Sequence, residues 1–222
     1  MKNALLLFTF LVVTNTAIAC PQIDGQVDVD CDRRLNLIFL GDSIVYGIKD
    51  NSGGYPSRLR GRFPNASIKN YGVPGITSDR LLGDVKQGRF QLIRADYIFI
   101  AVGINDYFSK TAPGNVVANI KRTVDYISGL YRFAGLNPPV IKVMTITPTT
   151  RGYQRGFVNE VNSILRRSVP IGANLNSLQL SQISSDGIHP SPAGYSTLAY
   201  MVYSYMSGSL KNETLRSIRR KR

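Results

Sequence analysis

The sequence predicts a three-layer α/β/α domain built on a parallel sheet, and two observations carry that expectation. From Leu35 onward, short apolar runs rich in β-branched and aromatic residues alternate with longer segments of helical periodicity, the pattern of strand–helix–strand units. The apolar runs are largely continuous, as strands buried on both faces require. Apolar residues make up 43% of the 222 residues, enough for one sizeable core and against wholesale disorder. No repeat period and no long low-complexity linker interrupts the chain.

The elements follow in order. LNLIFL (35–40) is the first expected strand and runs into Gly41. YPSRLRGRF (55–63) reads as a short helix and SIKNYGV (67–73) as the second strand. A helix within 77–90 has Thr77 and Ser78 as cap candidates and Leu81, Leu82 and Val85 as apolar residues. YIFIAVG (97–103) is the third strand. Residues 114–133 place Val116, Val117, Ile120, Val124, Ile127 and Leu130 on one helical face. PVIKVMTI (139–146) is the fourth strand, and 155–168 and 192–207 read as helices with a weak strand between them. The expected domain spans 35–210, after an N-terminal extension over 20–34 and before a basic tail over 211–222.

Residues 1–19 are a separate object. A Lys2 start, the apolar run ALLLFTFLVV and the small-residue exit NTAIA have the layout of a secretory signal peptide, too short to span a bilayer. An exported protein is therefore expected, periplasmic or extracellular. Export allows a disulfide between Cys20 and Cys31. The alternative is that TAIAC acts as a bacterial lipobox, with Cys20 lipidated and Cys31 free. Ala17 stands where that motif usually has Leu, and Asn15-Thr16 form a polar exit, which favours the disulfide.

Charge is the other outlier, with 27 Lys+Arg against 14 Asp+Glu, formally +13. The tail KNETLRSIRRKR contributes six positive charges against one negative. Such a tail can attract an anionic lipid or acidic glycan surface; the plainer expectation is a solvated, frayed terminus. No nucleic-acid partner is expected, because no recognisable binding module accompanies the charge. A monomer is expected.

Chemistry in open parallel sheets sits at the carboxyl ends of the strands. Ser43 follows the first strand in GDSIVYG, Gly75 the second in NYGVPGITS, and Asn105 the third in VGINDY; His189 lies in DGIHPSPAGY before the last helix. Each alone is an ordinary turn or cap residue. Together they supply acyl transfer. A serine hydroxyl needs a base, and His189 is the only histidine in the chain. Asp186, three residues earlier, could hold its Nδ1–H and fix the tautomer. The backbone N–H groups of Ser43 and Gly75 and the Asn105 amide could form an oxyanion hole.

GDSI, NYGVPG, GIND and DGIHP, in this order and spacing, resemble the four sequence blocks of the SGNH hydrolase (GDSL-type esterase/lipase) superfamily, over roughly residues 35–205. The resemblance implies a flavodoxin-like α/β/α sandwich, Ser43 as nucleophile, Asp186 and His189 as its triad partners, and Gly75 and Asn105 as oxyanion donors. GGYPSRL (53–59) resembles the segment after the first block in bacterial members related to secreted thioesterases, lysophospholipases and carbohydrate acetylesterases. Ile44 replaces the usual Leu of the first block, and Ile104 stands where the third block often has Gly, which could narrow the pocket beside Asn105.

Other chemistries fare worse. No Gly-x-Ser-x-Gly elbow occurs. One His and two N-terminal cysteines cannot build the usual zinc sites, a glycosidase pair is unmarked with only Glu160 and Glu213 as glutamates, and no Walker pattern or dinucleotide fingerprint is present. No cofactor or metal is implied. The expected function is hydrolysis of carboxylic esters, on a carbohydrate O-acetyl group, a lysophospholipid or a thioester, by a small-molecule, glycan or lipid substrate class. Specificity would come from loops 45–54, 107–114 and 147–155, where Arg151, Tyr153 and Arg155 could meet a substrate or merely solvate a loop. The rival is a non-catalytic glycan- or membrane-surface-binding protein on an esterase scaffold.

Overall fold

The computed structural model describes residues 20–220; the expected signal peptide and the last two residues of the tail lie outside the described residues. It begins with a small antiparallel hairpin, β1 (Gln22–Ile23) and β2 (Gln26–Val27). Asp24-Gly25 forms its turn, with φ of 49° and 76°, the left-handed pair that a two-residue hairpin loop favours. A disulfide joins Cys20 to Cys31, with Cα atoms 4.9 Å apart.

The main sheet has four parallel strands in the order β4-β3-β5-β6. They are β3 (Leu35–Gly41), β4 (Ala66–Gly72), β5 (Tyr97–Ala101) and β6 (Val140–Val143). The two central strands carry the apolar runs because both their faces are covered. Phe39 stacks on Phe99 at 4.9 Å and meets Tyr55 edge-on at 5.8 Å. Strand alternation sends Ile38, Leu40, Ile98 and Ile100 to the opposite face, where they are also buried. The weak strand expected after residue 168 reduces to a single parallel bridge, Val143 to Ile171; flanking Pro170 and Gly172 stop it from extending.

Helices cover the sheet in two groups. The first comprises α1 (Ser43–Tyr46), α2 (Gly54–Arg58) and α6 (Pro192–Tyr205), with α2 packed on both others. The second comprises α3 (Ser78–Lys86), α4 (Pro113–Phe133) and α5 (Gly152–Ser168), side by side. Along α4 the buried face is Val116, Val117, Ile120, Thr123, Ile127 and Tyr131. Tyr131 takes the place expected of Leu130 because its hydroxyl accepts from Ala95 N–H and donates to the Leu92 carbonyl.

The basic tail is not frayed across its first turns. α6 passes through a π-turn at Met206–Leu210 into α7 (Lys211–Arg220), so the helix continues across the expected boundary at 210. Leu210 and Thr214 are buried, and Lys142 of β6 pairs with Glu213 at 2.6 Å. No described helix is long and apolar enough to cross a membrane.

Candidate active site

The first strand delivers Ser43 through a close approach between neighbouring strands. A Cβ on Gly41 would lie 2.0 Å from the Ala101 carbonyl oxygen, so only glycine lets β3 end this near β5. Asp42 N–H donates to that same oxygen. The Asp42 side chain caps α1, accepting from Ile44 N–H at 2.9 Å. Ser43 thus sits at the first position of a helix, where its N–H has no intrahelical partner. Burial, with the charge of Asp106 adding to it, lifts the Asp42 carboxyl to about 7.

His189 reaches Ser43 from the other end of the chain. Its Nε2 lies 2.8 Å from Ser43 Oγ and its Nδ1 2.8 Å from Asp186 Oδ2. Asp186 Oδ1 accepts from the N–H groups of Ile188 and His189, each at 2.9 Å. Burial opposes ionisation of Asp186, but those two N–H donors and the imidazole outweigh it and hold the carboxyl well below its ordinary range. A permanently ionised carboxylate behind one ring nitrogen and a hydroxyl before the other is the geometry for removing the hydroxyl proton.

Gly75 and Asn105 belong to two loops that the fold ties together. Val73 N–H donates to the Gly41 carbonyl, which sets the second loop against the serine segment. Gly75 has φ +77°, a left-handed conformation favoured by glycine, and open space where a Cβ would stand. Among the described residues its N–H meets no acceptor. One Asn105 Nδ2 hydrogen goes to the Ile76 carbonyl at 3.0 Å, leaving the other hydrogen for a ligand. Ile104 does not narrow the pocket; it is fully buried in the core.

Several supporting interactions escaped the sequence reading, most of them because the partners are distant in sequence. Asn70 donates to the carbonyls of Val45 and Gly53 and accepts from Gly72 N–H. Asp106, fully buried, accepts from Ser78 N–H at 2.9 Å and Ser78 Oγ at 2.6 Å, fastening the Asn105 loop to the start of α3. Arg151 Nε donates to the Asp186 carbonyl at 2.8 Å, and its guanidinium lies 5.9 Å from the Phe108 ring centre. Arg155 likewise bonds loop carbonyls, those of Thr149 and Thr150, so both arginines shape the loop. Tyr107 packs on Tyr153 and Phe157. Tyr107, Phe108, Lys110, Thr111 and Phe157 line a depression of about 430 Å³.

Against known proteins, the sequence profile of the GDSL-like Lipase/Acylhydrolase family matches residues 39–196. The chain belongs to that family. Carboxylic ester hydrolysis follows at the family level. The uncharacterized protein YpmR of Bacillus subtilis (strain 168) is 24% identical over 205 residues, covering 74% of this chain and 78% of that protein. Two solved structures share the fold. A lipolytic protein of the G-D-S-L family from Veillonella parvula is 18% identical with a TM-score of 0.63, over 78% of this chain and 99% of that one. A mutant of Axe2, an acetyl-xylooligosaccharide esterase from Geobacillus, is 20% identical with a TM-score of 0.58, over 78% and 94%.

Proposed function

We propose that this chain is an exported serine ester hydrolase in which Ser43, His189 and Asp186 act as a triad. The unbroken line of contacts from Asp186 through His189 to Ser43, 2.8 Å at each step, is the observation that carries the reading. His189 removes the Ser43 proton as Oγ attacks the ester carbonyl. The oxyanion is received by the N–H groups of Ser43 and Gly75 and the free Asn105 amide hydrogen. His189 protonates the departing alcohol, and water releases the acid by the same route. Asp186 holds Nδ1–H and stabilises the imidazolium.

The substrate reading favoured here is a short acyl group on a carbohydrate. Phe108, after β5, and Tyr153, in the first turn of α5, are 53% and 61% exposed, an aromatic surface suited to stacking on a sugar ring. The depression beside Phe108 joins three aromatic rings, Tyr107, Phe108 and Phe157, to the polar groups of Lys110 and Thr111, a mixed lining that suits a sugar. Export rests on the signal-peptide layout of residues 1–19.

The test is hydrolysis of a chain-length series of p-nitrophenyl esters by the wild type and by Ser43→Ala. The reading expects turnover of the acetyl ester that disappears in Ser43→Ala, and decline with longer chains. Equal behaviour of the two proteins supports the rival, a glycan- or membrane-surface-binding protein on an esterase scaffold. A preference for long acyl chains removes the carbohydrate O-acetyl substrate while leaving the triad.

A further inference from the structure

The N-terminal segment carries a concentration of charge that the hydrolytic site does not use. Asp28, Asp30 and Asp32 alternate along VDVDCD, and one carboxylate oxygen of each lies within 4.8 Å of the others. Asp96, just before β5, adjoins them, accepting from Val29 N–H at 2.6 Å and Asn36 N–H at 2.7 Å. Four of the 14 acidic residues in a chain of charge +13 therefore converge here. Among the described residues, no Lys or Arg side-chain nitrogen comes within 4.0 Å of the Asp28, Asp30 or Asp32 carboxylates; the backbone N–H groups of Asp32, Arg33 and Arg34 donate to Asp30, Asp28 and Asp32 respectively.

Asp28 is the decisive member. It is fully buried. Its Oδ2 accepts from Arg33 N–H at 2.6 Å, while its Oδ1, also buried, has no hydrogen-bond partner. A buried carboxylate with one unpaired oxygen, close to two further carboxylates, is unfavourable unless a shared proton or a cation offsets the charge.

The spacing matches the first half of an oxygen-ligand loop for a hard divalent cation, which uses side chains at positions 1, 3 and 5, a sharp turn at 6 and a carbonyl at 7. Asp28, Asp30 and Asp32 fill the first three. Arg33, at the sixth place, has φ +65°, the conformation usually supplied there by glycine. The bidentate Glu that completes such a loop is absent, since Phe39 inside β3 holds the twelfth place. Water and backbone oxygens would complete the shell, which suits the weaker affinities of extracellular modules.

We propose that Asp28, Asp30 and Asp32 bind a divalent cation, with Ca²⁺ preferred over Mg²⁺, and that this cation fastens the N-terminal extension to the sheet. The low histidine and cysteine count argues against zinc but says nothing of a cation held by carboxylates. Ca²⁺ is preferred because it accepts irregular shells of 6–8 oxygens, where Mg²⁺ demands an octahedron. The site precedes β3, and Ser43 follows it, so roughly 20 Å of strand separates the two. The cation therefore acts on stability and not on the reaction.

The experiment is calorimetric titration of EDTA-treated, dialysed protein with CaCl₂ and, separately, MgCl₂, together with thermal melts with and without ~10 mM of each salt. The expected result is one-site Ca²⁺ binding with Kd about 10⁻⁴–10⁻³ M and a Ca²⁺-dependent rise in Tm. Both disappear in the double variant Asp30→Asn, Asp32→Asn, whose metal-free Tm and acetyl-ester turnover stay at or above wild type. These two residues are half-buried, so the variant keeps its fold and leaves the buried Asp28 unchanged. Absence of both heat and Tm shift in the wild type overturns the proposal, as does a double variant that responds like the wild type. An equal response to Mg²⁺ overturns the preference.

Discussion

Replacing Asp186 by Asn changes the charge behind His189 with the least change of shape. Asp186 has two tasks that the structure assigns to different oxygens. Oδ1 shapes the loop by accepting from Ile188 and His189 N–H, and Oδ2 meets His189 Nδ1 at 2.8 Å. An Asn keeps the first task and reverses the second. Its NH₂ turned toward Nδ1 requires that nitrogen to accept, which moves the ring proton to Nε2, the atom 2.8 Å from Ser43 Oγ. The imidazole can then no longer take the serine proton. The transition state also loses a charge-assisted hydrogen bond of about 1.5–3 kcal/mol. With the tautomer penalty added, the barrier rises by about 4–5.5 kcal/mol, or roughly 10³–10⁴-fold in kcat.

Because the Ile188 and His189 N–H donors and the imidazole hold Asp186 far below its ordinary range against the cost of burial, it is ionised across the whole working pH range. Asp186→Asn therefore removes a charge that the wild type carries throughout that range. The assay is kcat and KM on p-nitrophenyl acetate, with a thermal melt to establish that the loop and fold survive. KM should move little, since Asp186 acts through His189 and not on the substrate. A folded variant that keeps more than about a tenth of wild-type kcat refutes the reasoning.

Two further substitutions test the supporting structure. Asp106→Ala strips acceptors from Ser78 N–H and Ser78 Oγ, which should cost about 2–5 kcal/mol by urea denaturation and lower kcat as the Asn105 loop loosens; an unchanged midpoint shows that these bonds are dispensable. Asp42→Asn should stabilise the protein at neutral pH and do nothing near pH 4. The folded Asp42 carboxyl, raised mainly by burial to about 7, favours the folded state when protonated, so wild-type stability is fully present below the unfolded value of about 4 and is lost as pH rises toward 7. The difference approaches roughly 4 kcal/mol at most, read as Tm against pH for both proteins, and parallel curves would refute it.

The site was legible because its chemistry lies in short local blocks. Ser43, Gly75 and Asn105 each follow a strand whose apolar run can be seen directly, and the single histidine left one candidate base. Asp186 was readable for the same reason, since the i to i+3 step to His189 is closed by local turn geometry. Asn70, Asp106 and Arg151 were not. Their partners, Val45, Ser78 and Asp186, lie 25, 28 and 35 residues away, and an Asn, Asp or Arg in a loop carries no mark of which distant carbonyl or N–H it serves. Arg151 shows the ambiguity this leaves. Its charge in a loop fitted a substrate contact and plain solvation equally well, and its Nε donates to the Asp186 carbonyl, a partner neither reading named.

Composition misled most where it was most conspicuous. The tail over 211–222 reads as a charge run, but charge counting ignores the spacing of its few other residues. Leu210 and Thr214 are four apart and both buried, so they lie on one helical stripe that continues from Val202 of α6 and Met206 of the π-turn. Glu213, the only acid in the segment, then meets Lys142 on the last strand. α7 packs beside β2 of the N-terminal hairpin, and Tyr97 of β5 donates to the Val27 carbonyl beneath them. The two ends of the described chain therefore close over the same strand. The inward stripe of the tail is committed to the fold, so an anionic surface would be met by basic residues of the tail and not by an apolar face.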